Sequence, residues 1–129
     1  MLERGDRLPH FAVTTVDGSR VDYSQIWQRR NLVLVCLPVE ETTTGVVQSY
    51  VAALADRVRE LAEDDTEFVV TSESVAGVPS PGVVVADRWG EIYFVAASPS
   101  AQNLPSRDEV LEWVRYVQHE CPECQGEAR

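Results

Sequence analysis

The chain contains no lysine: all 11 of its basic residues are arginine. Schiff-base catalysis and a phosphate-gripping lysine of the Walker type are therefore excluded, because both need a primary amine. Cysteine is scarce, with three residues, and histidine scarcer, with two. Three thiols do not make a disulfide framework, so the fold must rest on its core. Apolar runs are short, and none approaches the roughly 20 residues that span a bilayer. Met1–Asp6 lacks the apolar stretch of a secretion signal, and cytoplasmic residence is the expectation. Positive charge is outnumbered, 11 basic residues against 21 acidic, for a formal net charge of −10. Nucleic acid and anionic membranes draw on Lys and Arg, so neither is an expected partner. A protein partner or a second copy of the chain is left open.

What is present is ordinary globular material. At 129 residues, 44% hydrophobic and 25% charged, the chain can bury one core. Phe11–Val16 and Arg20–Tyr23 are strand-like and flank the turn signal Asp17-Gly18. Asn31–Leu37 is a nearly continuous apolar run, as in a central strand buried on both faces. From Val46 to about Asp64, the apolar residues Val47, Tyr50, Val51, Leu54, Val58 and Leu61 recur at helical spacing. Thr66–Thr71 then reads as a strand parallel to the first. Gly82–Ala86 and Glu91–Ala96 read as a hairpin around Asp87-Arg88-Trp89-Gly90. Ser106, three residues before Glu109, opens a last helix with the stripe Val110, Trp113, Val114 and Val117, and Pro122 marks its expected end. The pattern is an α/β sandwich: an N-terminal hairpin, a βαβ unit and a ββα unit around a mixed sheet.

Four segments in order carry a resemblance. They are Gly5-Asp6-Arg7-Leu8-Pro9-His10-Phe11, the hairpin Val16–Val21, the strand and loop Leu34–Gly45, and Val78–Ile92 with its Pro81 and Asp87-x-x-Gly90. Together they resemble the peroxiredoxin (alkyl hydroperoxide reductase/thiol-specific antioxidant, AhpC/TSA) branch of the thioredoxin-like superfamily. The resemblance implies a thioredoxin-like sandwich, a redoxin domain over residues 1–120 and a short acidic tail over 121–129. It also implies that Pro38 and Thr42 hold places in the frame Pro-x-x-x-Thr-x-x-Cys, and that Pro81 takes the place of the cis-proline facing the active cysteine.

The chain departs from that pattern at the reacting atom. Gly45 stands where the peroxidatic cysteine belongs, and no cysteine lies between Cys36 and Cys121. Tyr93 is expected about where the family carries an arginine that steadies the thiolate. Thr71–Pro81 is short for the helix and strand usually inserted there, and Glu40 and Glu41 disfavour a nearby thiolate. The degenerate site is thus Pro38, Thr42, Gly45, Pro81 and Tyr93, and peroxidase activity there is not expected.

The remaining sulfur needs separate readings. Cys36 falls inside an apolar strand and reads as a small core hydrophobe. Cys121 and Cys124 have the Cys-x-x-Cys spacing of a redox pair or of half a zinc site, with His119 a third potential ligand. Glu120, Glu123, Glu127 and the helix C-terminus would raise their pKa values, so a fast nucleophile is not expected. A slow or regulatory thiol–disulfide pair, a zinc site and an incidental pair all stay open. No cofactor is otherwise implied. Function divides between a non-catalytic binding or redox-associated module and a thiol–disulfide oxidoreductase or sensor using Cys121 and Cys124.

Overall fold

Alternation along two strands organises the structure. The computed structural model describes residues 1–62, 65–100 and 103–128, and the side chains of all of these except 61–62 and 119–128. Strands β1 (Ala12–Thr14) and β2 (Arg20–Asp22) form an antiparallel hairpin, with Gly18 at φ +95° in its turn. A short 3₁₀ turn, Tyr23–Gln25, leads to β3 (Asn31–Cys36), and a second, Val39–Glu41, leads to α1 (Gly45–Ala62). Then come β4 (Thr66–Thr71), β5 (Gly82–Ala86), β6 (Ile92–Ala97) and α2 (Arg107–Ala128).

The main sheet has the order β4-β3-β5-β6. β3 runs parallel to β4, from Asn31 opposite Thr66 to Cys36 opposite Thr71, and antiparallel to β5. A parallel neighbour requires a crossover, and α1 supplies it. β3 and β5 are buried along their whole lengths, which explains why they are apolar at nearly every position. Val33, Val35, Val83 and Val85 face one layer with Leu54, Val58, Val110, Val114 and Val117 of the two helices. Leu32, Leu34, Cys36 and Val84 face the other, with Leu8, Val13, Tyr23 and Ile26 from the N-terminal segment. Two cores thus share one sheet, and a one-residue slip of β3 would exchange them.

The N-terminal strand is shorter than the expected Phe11–Val16. Beyond Thr14 the chain leaves β2 and lies on the edge of β4: Thr15 pairs with Thr71, and the Val16 N–H donates to the Val70 carbonyl at 2.9 Å. The last helix also differs. Ser106 caps it as expected, its Oγ accepting from the Glu109 N–H at 3.2 Å, but the helix does not stop at Pro122. Its backbone continues to Ala128. An interior proline loses one donor and crowds the carbonyl four residues before it, at a cost of about 3 kcal/mol, so the helix runs on here against its local preference. The acidic segment expected from residue 121 therefore begins inside α2. None of the described helices is long and apolar enough to cross a membrane.

Candidate functional site

The candidate site lies where β3 ends and α1 begins. The Leu37 N–H still donates to the Thr71 carbonyl at 3.0 Å, after which Pro38 turns the chain out of the sheet. The loop then closes on itself. The Glu41 N–H donates to the Pro38 carbonyl at 3.0 Å, and the Thr42 hydroxyl to the Val39 carbonyl at 2.8 Å. Thr44 ends it as the helix N-cap: its Oγ1 accepts from the Val47 N–H at 3.3 Å, and its carbonyl from the Gln48 N–H at 3.0 Å. Thr44 escaped the sequence reading, although a threonine directly before the apolar periodicity was the available signal.

Gly45 is therefore the first residue of α1, exposed at the positive end of the helix dipole. A Cβ built there meets nothing within 4 Å, and the backbone does not need glycine's left-handed freedom. The position is open and electrostatically suited to an anion, yet carries no functional group.

Strand pairing brings Pro81 to the same end of the sheet. Gly82 pairs with Cys36 on one side and Ala97 on the other, and the Ser80–Pro81 bond is cis. Pro38, Thr42, Gly45 and Pro81 thus lie towards one end of the sheet. Tyr93 does not. Its neighbour Ile92 pairs with Ala86, and Ala86 with Leu32, near the start of β3. Tyr93 is at the opposite end of the sheet, because β6 begins across the hairpin from the end at which β5 begins. No spacing measured from Asp87-x-x-Gly90 places it beside Gly45.

The other expected groups fall as follows. Cys36 is buried, and burial alone pushes its thiol up to about 11, so it is almost wholly protonated at neutral pH and inert. His10 is exposed, with Nδ1 2.9 Å from the Ser24 hydroxyl. Among the described residues no group of three His, Cys, Asp or Glu could hold a metal ion. The side chains of His119, Cys121 and Cys124 lie outside the described residues. Beside Thr42 the structure adds a feature the sequence did not announce. An apolar cavity of about 160 Å³ is lined by Leu37, Val47 and Ala52. It shares Val16, Val51 and Val70 with a wider groove of about 500 Å³ between α1 and β4.

No family model matches the sequence. No curated protein matches it either. Solved structures do. The yeast mitochondrial 1-Cys peroxiredoxin superposes with a TM-score of 0.68 at 16% identity, covering 95% of this chain and 79% of its own. The mitochondrial 2-Cys peroxiredoxin of Plasmodium falciparum gives a TM-score of 0.68 at 10% identity, covering 98% of each chain. The fold is peroxiredoxin-like. AhpC of Mycobacterium tuberculosis agrees, with a TM-score of 0.66 at 15% identity over 92% of this chain and 99% of that one. Identities this low speak to architecture alone.

Proposed function

We propose that this chain is a redoxin-fold module that does no peroxide chemistry at the β3–α1 loop and acts by binding, alone or in a redox-associated complex. One observation carries the reading: the first residue of α1 is glycine, with open space above it. Peroxide reduction of the peroxiredoxin type needs a thiolate there, and the described alternative, Cys36, is buried with its thiol pushed up to about 11. The apolar cavity beside Thr42, which shares Val16, Val51 and Val70 with the more polar groove between α1 and β4, supports a binding role.

A second reading rests on the spacing of Cys121 and Cys124. In it, the two thiols form a slow disulfide that exchanges electrons with a thioredoxin-type dithiol, or bind zinc. One experiment separates the two. Peroxide consumption and thiol count are measured across a dithiol redox series for the native chain and for the Cys121→Ser/Cys124→Ser double variant, with zinc analysis of the same samples. The binding reading expects peroxide consumption at background in both and no reversible thiol pair. Turnover that survives in the double variant would overturn it at the loop, and a reversible pair lost in that variant would transfer the function to α2.

A further inference from the structure

The far end of the molecule holds a second arrangement. Between β5 and β6 the register slips: Ala86 pairs with Ile92 but Val85 with Phe94, leaving Tyr93 as the extra residue of a bulge. Bulges re-aim side chains. Here Tyr93 and Phe94, although adjacent, both pack on the helix-side core. Tyr93 meets Tyr116 at a ring separation of 5.8 Å, and Trp113 meets Tyr116 edge-on at 5.7 Å.

A cation lies over these rings. The Arg4 guanidinium is 5.1 Å from the Trp113 ring centre and 5.9 Å from that of Tyr93. Its backbone is fixed by a turn: the Asp6 N–H donates to the Glu3 carbonyl at 3.0 Å, with Gly5 at φ +94°. That turn is stitched to the start of β6, Gly5 N–H to the Ile92 carbonyl at 2.8 Å and Ile92 N–H to the Asp6 carbonyl at 2.9 Å. The side chain is exposed and makes no ion pair among the described residues. Ring faces are what hold it. Beside it remains a cavity of about 380 Å³, rimmed by Glu109 and Glu112. Neither carboxylate has an ion-pair partner among the described residues, and Tyr116 is 42% exposed.

We propose that Tyr93, Trp113 and Tyr116, with Glu109 and Glu112, form a recognition site for a guanidinium cation, an arginine side chain presented by a partner, and that Arg4 occupies this site in cis. A planar, weakly hydrated guanidinium packs on aromatic ring faces better than an ammonium does. The turn is held by backbone bonds, so rotation of the Arg4 side chain alone vacates the rings. The two carboxylates favour a cation whether or not Arg4 has left. This site is independent of the β3–α1 loop and stands if the reading of that loop fails.

The test uses Arg4→Gln, which keeps the apolar stem and removes the charge. N-acetylarginine amide is titrated while the Trp113 indole N–H is followed by NMR, with the uncharged citrulline analogue as control. Arg4→Gln is expected to show saturable binding in the millimolar range, and the native chain about tenfold weaker binding, since it must displace its own cation. Citrulline should leave the signal unmoved. Tyr116→Leu, which truncates an exposed ring, should weaken the Arg4→Gln affinity several-fold. No saturable shift in Arg4→Gln, or equal shifts with arginine and citrulline, overturns the proposal. A fall in melting temperature without a new binding site assigns Arg4 to stability alone.

Discussion

Placing a thiol at position 45 tests whether the start of α1 would activate a sulfur if it carried one. Nothing lies within 4 Å of a Cβ there, so Gly45→Cys is expected to fold. Two effects then set the acidity of the new thiol. The helix N-terminus favours the thiolate by about 0.3–1 kcal/mol, or roughly 0.2–0.7 of a pKa unit. Glu40 and Glu41, in the turn just before it, oppose this by a few tenths of a kcal/mol each at surface dielectric and ordinary salt. The two nearly cancel and leave the thiol within about half a unit of an unperturbed cysteine, near pKa 8.5. Only a few per cent would be thiolate at neutral pH. The rate of alkylation by iodoacetamide should therefore titrate with a midpoint of about 8–9, and peroxide consumption should stay within about threefold of a free thiol. A midpoint below about 7, with peroxide consumption orders of magnitude faster, would refute this account. The loop would then be competent to activate a thiol at position 45.

Two further predictions concern stability. The same change, glycine to alanine, should act in opposite directions at two positions. At Gly82 a Cβ would lie 2.3 Å from the Pro79 carbonyl oxygen and 2.7 Å from its Cγ. Gly82→Ala should cost about 2–3 kcal/mol and lower Tm by roughly 10 °C, whereas Gly45→Ala should be neutral or stabilising by up to about 1 kcal/mol. Thermal melts of the pair check this, and a Gly82→Ala Tm equal to the native value would show that the Pro79 backbone can yield. The second prediction is alkaline sensitivity. Burial raises the Cys36 thiol from 9.0 to about 11, so the unfolded chain ionises first. Its contribution is complete below about pH 9 and is lost as pH rises towards 11, at about 1.4 kcal/mol per pH unit. Tyr23 and Tyr50, each raised from 10.0 to about 12 mainly by burial, add the same trend one unit higher. Urea unfolding between about pH 8 and 11 should show this decline, with Cys36→Ala flattening its lower part. Stability constant to about pH 11 would contradict the burial argument.

What could be read ahead of the structure was whatever local pattern controls. The buried runs of β3 and β5, the stripe of α1 and the Asp17-Gly18 and Asp87-x-x-Gly90 turns each carry their cause within a few residues, and together they imply the sandwich. Pro38, Thr42, Gly45 and Pro81 were named from the family resemblance and not from local pattern; strand pairing then sets Pro38 and Pro81 at one end of the sheet. The placement of Tyr93 was not readable, because it depends on which end of the β5–β6 hairpin faces the loop and on a bulge that no propensity signals. The path of Thr15 and Val16 along β4 was likewise hidden, since an edge contact between distant segments leaves no period. Pro122 misled in the other direction: the rule that a proline ends a helix did not hold there, and local propensity does not explain why.

The loop between β3 and α1 is held by bonds among its own members: Thr42 to Val39, Glu41 to Pro38, Thr44 to Val47 and Gln48. None of them involves the side chain at position 45. Shape and reactivity are therefore separable here, and the side chain at position 45 can change while the scaffold keeps its contour. Any partner that reads that contour would meet the same surface whichever small side chain stands at position 45.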